Sequence, residues 1–233
     1  MDDQTAPPFP AEEVHSAEIL FDRLVSAPPG SEELSEHLRS LSDRDPGAVM
    51  YALFQDAGPD GDGAGAHAAL DRLLDTVSED EANAAYAVEA VERMAGTGEG
   101  ADGRTGRERE KAAQSLLGYR GPPPRPASNG LIRCLLESLS PHRVSHYSHA
   151  YTSAVRLLSS LHAARPSACL GDVTSDPHGM GRLVALLSVP DEAVRNGAVL
   201  LLLGFARGSA LVRQFVSFDE GTERLLGAVH DEG

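Results

Sequence analysis

The chain has 233 residues, enough for one large domain or two small ones, and a formal net charge of −15 with no sustained basic face, which argues against nucleic acid as a partner. Aromatic residues make up only 5% of the chain and Trp is absent, so the core must come from Leu, Val and Ala, the usual material of helix packing. Period-two runs of β-branched and aromatic residues are missing, which argues against a sheet.

The N-terminal sequence MDDQTAPPFPAEE is acidic and rich in proline, and it resembles neither a secretory nor a mitochondrial signal. We expect residues 1–13 to be a disordered tail. Cys134 and Cys169 are the two cysteines, and two thiols without a signal peptide indicate a reducing compartment. The expectation is a cytosolic protein.

Short helices fill the first part of the chain. Residues 14–26 carry an apolar stripe of helical period, and the APPG sequence that follows ends it. Ser31 then predicts the N-cap of a second helix, and Pro46 lies near the first turn of a third. Residues 67–77 and 80–95 read as a helix pair joined by a tight polar turn.

Residues 96–129 contain two glycine- and proline-rich stretches around a short predicted helix near 111–117. The first stretch, GTGEGADGRTGRERE, has too little apolar area to fold. We therefore expect 96–129 to be mainly a disordered insertion.

From Gly130 onward helices follow one another with short connections. The run from Ala198 to Ala206 contains no charge, yet it is too short for a membrane span, which needs about 20 apolar residues. This helix must be covered on more than one side, and Gly197 and Gly204 would let neighbouring helices approach it closely.

A repeat supplies that cover. Arginines at positions 23, 72, 133, 182 and 224 each precede an apolar run, at intervals of roughly 40 to 60 residues, and an Ala-Val pair recurs in the long helices at 87–88, 154–155 and 198–199. These spacings predict an all-α, right-handed armadillo- or HEAT-like solenoid over residues 14–233, with about four to five repeats. The alternative is one irregular helical bundle whose internal likenesses arose by chance.

The C-terminal stretch from GMGRLVALL through EAVRNGAVLLL to LVRQFVSFDEGTERLL resembles the armadillo-like head of the eukaryotic ER–Golgi vesicle-tethering factors, the general vesicular transport factor family. The resemblance spans about residues 16–233, and it is strong after 178 and weak before 130. It implies a head that engages a Rab-type GTPase and Golgi tethering proteins, with peripheral association at the Golgi membrane and transport vesicles.

The same resemblance implies a homodimer held by a C-terminal coiled coil. No heptads occur up to Gly233, so either the chain is part of a longer protein or it lacks the coiled coil. The alternatives in function are a generic armadillo adaptor, such as a chaperone cofactor or a transport-receptor fragment, and a metal-dependent enzyme. The absence of Trp counts against a nuclear-import type.

Arg195 and Asn196 are the predicted protein-binding residues, because they interrupt an apolar helix just after its first turn. In armadillo solenoids, polar residues of the inner helix line the partner-binding surface. The competing interpretation is that Asn196 satisfies neighbouring backbone groups and that Arg195 points to water.

No catalytic residue or cofactor is predicted. A nucleophile elbow and a P-loop are both missing from the sequence. His142, His146 and His149 have the spacing of a metal site on one helix, but no Cys, Asp or Glu stands beside them, so solvated histidines are the expectation.

We predict that deletion of residues 97–108 leaves the melting temperature nearly unchanged, because a segment with so little apolar area contributes little to the core. Thermal unfolding followed by circular dichroism measures this. A large drop in melting temperature would show that the segment is ordered.

Overall fold

A computed structural model describes residues 9–54, 64–96, 106–119, 130–139 and 148–218. These parts of the chain form helices joined by short turns. The α-helices are α1 Ala11–Ser26, α2 Glu32–Ser42, α3 Pro46–Phe54, α4 Ala64–Glu79, α5 Ala84–Met94, α6 Gly106–Gly118, α7 Leu131–Ser138, α8 Ser148–Ala164, α9 Pro166–Ser175, α10 Gly179–Ala185, α11 Glu192–Gly208 and α12 Ala210–Phe218. A 3-10 turn, Leu186–Ser188, extends α10.

The helices repeat in groups of three, and helices of the same rank contact one another in order. The arginine-bearing helices follow the sequence α1 on α4, α4 on α7 and α7 on α10. The long helices that come next along the chain form a second row, α2 on α5, α5 on α8 and α8 on α11. When the units are counted from α3, α6 and α9, the helices α5, α8 and α11 are the third of each unit. We therefore call the row formed by α2, α5, α8 and α11 the third-helix row. Two parallel rows of stacked helices are the architecture of an armadillo-like solenoid, which confirms the predicted fold class.

Four of the five landmark arginines lie on the first row, and their contacts differ from repeat to repeat. Arg72 donates from Nη2 to the carbonyl oxygen of Ala27, 2.6 Å away. Arg133 donates from Nε to Oε1 of Glu137 at 2.9 Å, and this hydrogen bond is the main cause that raises the pKa of Arg133. The arginine therefore marks the register of the repeat without making one common bond. Arg224 lies outside the described residues.

A core of small and branched apolar side chains runs through all the units without a break. Ala87, Ala154 and Ala198 of the recurring Ala-Val pair are each 0% exposed. The valines at 88 and 155 are also buried, whereas Val199 is half-buried. Small residues at these positions let each long helix approach its neighbour closely, so that helix spacing is set by side-chain size.

Gly197 and Gly204 bring α11 close to α8, as the sequence predicted. A Cβ atom at Gly197 would lie 2.7 Å from Cγ1 of Val155, and one at Gly204 would lie 3.1 Å from the ring of His162. That ring stands edge-on to Phe205, with centroids 4.6 Å apart. Neither glycine has an unusual backbone angle. The close approach of the two helices leaves no room for a side chain at Gly197, and a side chain at Gly204 would have to displace the His162 ring slightly.

The helix starts follow local capping chemistry. The hydroxyl of Ser31 accepts from the backbone N–H of Leu34 at 3.1 Å, which confirms the predicted N-cap. In the turn before it, Gly30 adopts a φ of 70°, a conformation that favours glycine. The Gly30 N–H donates to the carboxylate of Asp80, so the turn between α1 and α2 is tied to the turn between α4 and α5.

Two predicted boundaries differ from the structure. Helix α1 begins at Ala11, ahead of the expected residue 14, and Phe9 packs on Tyr51 with ring centroids 5.7 Å apart. The short helix predicted near 111–117 is present as the 13-residue α6, which begins earlier, at Gly106, and buries Ala112, Ala113, Leu116 and Leu117. The rest of the predicted insertion, residues 97–105 and 120–129, lies outside the described residues.

We predict that Leu201→Asp unfolds the C-terminal units, because Leu201 is 2% exposed and a carboxylate there would be buried without a partner. The expected loss in the free energy of unfolding is about 4 kcal/mol. Urea unfolding followed by circular dichroism measures it.

Leu200→Asp is the matched control, since Leu200 on the same helix is 69% exposed and should tolerate the charge. Equal destabilisation by the two substitutions would contradict the packing described for α11.

Candidate protein-binding surface

The third-helix row presents one side of each long helix away from the core. Aligning α8 and α11 on their Ala-Val pairs places Arg156 at the position of Leu200 and Ser159 at the position of Leu203. Arg156, Leu200 and Leu203 are exposed and Ser159 is partly exposed. A surface formed by equivalent positions of successive helices is suited to binding other proteins rather than to enclosing a small molecule.

Arg195, one of the two predicted binding residues, is used within the fold. Its Nη1 donates to the carbonyl oxygens of Val189 at 3.0 Å and Pro190 at 2.9 Å. These two bonds fasten the first turn of α11 to the turn before it, which also contains the N-cap Asp191. The side chain is half-buried, so it points neither fully to a partner nor to water.

Asn196, the other predicted residue, is exposed. Its side chain makes no hydrogen bond with the part of the chain that the structure describes. The interpretation that it satisfies neighbouring backbone groups therefore finds no support, and the amide is available to a partner.

The expectation that the run from Ala198 to Ala206 is covered on most sides is wrong for two of its four leucines. Leu201 and Leu202 are buried, but Leu200 is 69% and Leu203 is 44% exposed. A helix without charged residues can therefore retain a solvent-facing side. The sequence alone did not indicate which of the four leucines lie on that side.

An ion pair between adjacent long helices was not predicted. Arg156 of α8 binds the carboxylate of Glu92 of α5 through Nε and through Nη2, the latter at 3.0 Å. Glu92 is 1% exposed, whereas the side chain of Arg156 is 43% exposed. The sequence signal was limited to Glu92 itself, a glutamate among the apolar positions of α5, and it did not indicate which residue would pair with it.

A second cross-helix contact joins α2 to α5. The guanidinium of Arg39 lies 4.4 Å from the centroid of the Tyr86 ring, and its Nη2 donates to the Tyr86 hydroxyl at 2.6 Å. This hydrogen bond is the largest cause that raises the pKa of Arg39. Polar contacts thus link the third-helix row at two successive junctions.

The histidine group that suggested a metal site falls outside the described side chains, at residues 142, 146 and 149. Among the described residues no group of three His, Cys, Asp or Glu side chains is placed to hold a metal ion. His162 packs between Phe205 and Gly204 in the interface of α8 with α11.

Both cysteines are buried free thiols. Burial raises the pKa of Cys169 to about 12, with a smaller contribution from Asp172. A thiol with so high a pKa is protonated at neutral pH and is a poor nucleophile.

A cavity of about 340 Å³ opens beside α6 and the end of α8. Four of its nine described lining residues are alanine, and none of the nine is a histidine or a cysteine; the lining residues are Ala95, Gly106, Arg109, Glu110, Ala113, Ser160, Leu161, Ala163 and Ala164. Arg109 and Glu110 are the charged side chains of this lining.

No described helix combines the length and the apolar character needed to cross a membrane.

The order of helix contacts defines the chain as an armadillo-like solenoid. The crystal structure of Uso1-1 matches 95% of this chain and 34% of its own with a TM-score of 0.61 and 19% identity, a likeness of fold. No protein-family model matches the chain.

The sequence relatives of the chain are vesicular and intracellular transport proteins. Over 85 residues the chain is 33% identical to the general vesicular transport factor p115 of Homo sapiens and 31% identical to the intracellular protein transport protein USO1 of Saccharomyces cerevisiae. The matched segment is 36% of this chain, and it spans 9% of the human protein and 5% of the yeast protein. The chain is therefore homologous, over that segment, to the p115/Uso1 vesicular transport factors. Both relatives are named for transport and not for a reaction.

We predict that Arg156→Met destabilises the chain by about 3 kcal/mol, because it removes the guanidinium that pairs with the buried carboxylate of Glu92. Adding Glu92→Gln in the same chain should recover part of the loss, since the buried charge is then gone. Urea unfolding of the two single variants and the double variant measures the coupling.

Arg93→Met is the control, because Arg93 pairs with Glu89 at 3.7 Å on a half-exposed part of α5 and should cost less than about 1 kcal/mol. Additive losses at Arg156 and Glu92 would show that the two side chains are not coupled.

Proposed function

We propose that this chain is a protein-binding head segment of a vesicle-tethering factor in ER-to-Golgi and intra-Golgi transport. The homology to p115 and USO1 carries the proposal, because both are named as transport proteins and one of them has the same fold. The chain spans less than a tenth of either relative, so the activity of the whole protein enters here only as part of the proposal.

The surface chemistry supports a protein partner. The third-helix row carries polar side chains at Arg39, Tyr86 and Arg156, exposed leucines on α11 and the free amide of Asn196. Asn196 contacts the partner directly, while Arg195 fixes the start of α11 that presents it. A row of this kind offers a large preformed area, which is what protein recognition requires.

The proposed partners are a Rab-type small GTPase and Golgi tethering proteins, and the proposed location is the cytoplasmic side of Golgi membranes and transport vesicles. The chain acts by binding and performs no catalysis in this proposal. Joined to a coiled coil in a longer protein, the segment would be present twice in a homodimer.

The test uses the complete 233-residue chain immobilised on beads and a panel of purified Rab-type GTPases, each loaded with a non-hydrolysable GTP analogue or with GDP. We expect at least one GTPase to be retained about tenfold more in the GTP-analogue form, because a regulated partner binds one nucleotide state in preference. Absence of a nucleotide-dependent difference for every GTPase of the panel would contradict the proposal.

A further inference from the structure

Four side chains form an exposed line along α11. Asn196, Leu200, Leu203 and Arg207 are separated by four, three and four residues, which places them on one side of an α-helix. All four are exposed, and the leucines are exposed to 69% and 44%. We call these four residues the α11 strip.

The α11 strip lies mainly off the side of the helix where units stack, and Leu203 is its member nearest to that side. The equivalent residues of α8 are Thr152, Arg156, Ser159 and Ala163, and α8 is covered by α5 on one side and by α11 on the other. Even so, Arg156 and Ala163 are exposed and the other two are partly exposed. A unit stacked beyond α11 would therefore leave Leu200 largely accessible.

The stacking positions of α8 are different residues. Val155 and His162 are the side chains of α8 that approach Gly197 and Gly204 of α11. Their equivalents on α11 are Val199 and Ala206, which lie on another side of the helix from Leu200. Leu203 is four residues from Val199 and three from Ala206, so it borders the stacking side, and its equivalent Ser159 stays partly exposed beneath α11. Leu200 is thus not explained as a surface reserved for the next repeat.

The strip is apolar in its middle and cationic at one end. Within the described residues Arg207 forms no ion pair and is fully available to an outside carboxylate. The acidic residue of α11, Glu192, lies about 22 Å away along the helix axis. In a chain of net charge −15, this is a local site where a carboxylate would be attracted rather than repelled.

The form of the strip favours a helical occupant. Its four residues run in a straight line for about 16 Å, and residues spaced by three and four form the ridge that packs against another helix. An extended peptide is usually held by repeated polar groups on successive helices. Here the equivalents of Asn196 are Ala85 in α5 and Thr152 in α8, so no ladder of amides continues across the row.

We propose that the α11 strip binds an amphipathic helix of a partner protein, whose apolar side chains cover Leu200 and Leu203 and whose carboxylate pairs with Arg207. The proposal rests on the proposed protein-binding function and names the surface that performs it. Apolar burial supplies the attraction and the single ion pair sets the direction of the bound helix.

The test selects a phage-displayed library of 20-residue helical peptides against the complete chain. Enriched peptides are synthesised with a fluorescent label, and their affinity is measured by fluorescence anisotropy. We expect the enriched peptides to carry apolar residues at spacings of three and four and an acidic residue at one end. Binding should weaken at least tenfold for the double variant Leu200→Asp/Leu203→Asp and severalfold for Arg207→Glu, the latter less at high salt.

Matched controls come from α1, on the other row. Ile19 and Val25 are 42% and 44% exposed, and Ile19→Asp/Val25→Asp repeats the same chemical change there. Arg23 is also exposed, and Arg23→Glu repeats the charge reversal. Circular dichroism and urea unfolding should give the same midpoint for strip and control variants as for the parent chain, because all these positions face solvent.

Three results would overturn the proposal. The first is that no peptide is enriched, and the second is that enriched peptides bind the strip and control variants equally. The third is sedimentation of the parent chain as a dimer that Leu200→Asp/Leu203→Asp dissociates, which would assign the strip to a second copy of this chain. The GTPase retention experiment tests a different proposal. If peptides bind in a strip-dependent way but no GTPase is retained, only the tethering proposal is contradicted. If a GTPase is retained but no peptide binds the strip, only the strip proposal is contradicted.

Discussion

The close stacking of the long helices is the constraint on which the rest of the structure depends. Each of α5 and α8 has a neighbour of the same rank on both sides, and its buried positions include the recurring Ala-Val pair. At the junction of α8 with α11 the requirement is stricter, because a side chain at Gly197 would collide with Val155. Helix spacing is fixed by these small residues, and the spacing in turn determines which side chains of each helix remain outside.

The ion pair of Glu92 with Arg156 contributes more to the alignment of α5 with α8 than to the stability of the fold. Removing a carboxylate from water costs several kcal/mol, and the pairing repays this cost only when the geometry is good. The pairing of the buried Glu92 with a guanidinium of the next helix favours one alignment of α5 with α8. The exposed side of Arg156 remains on the outer surface, so one residue serves both the packing and the surface.

The same geometry separates the surface into two kinds of position. Residues that face the neighbouring repeat are mostly small or apolar, and residues that face outward are not constrained by that packing. In α8 three of the four outward positions equivalent to the α11 strip are polar, whereas in α11 two of the four are leucine. In the proposed function, this exposed surface is the part of the described structure that contacts a partner.

The sequence by itself determined the helical class, the repeat and the close approach at Gly197 and Gly204. It could do so because helical periodicity, capping residues such as Ser31 and recurring Ala-Val pairs are local properties of the chain. Only the tertiary structure decided which leucines of the run at 198–206 face water, that Arg195 binds the turn preceding α11, and that Glu92 meets Arg156. The Arg195 bonds reach only five and six residues back, and they depend on the shape of the turn before α11. The leucine exposure and the Glu92–Arg156 pair depend on how neighbouring helices are rotated about their axes, and rotation is set by packing between segments some 40 to 60 residues apart, which no local pattern records.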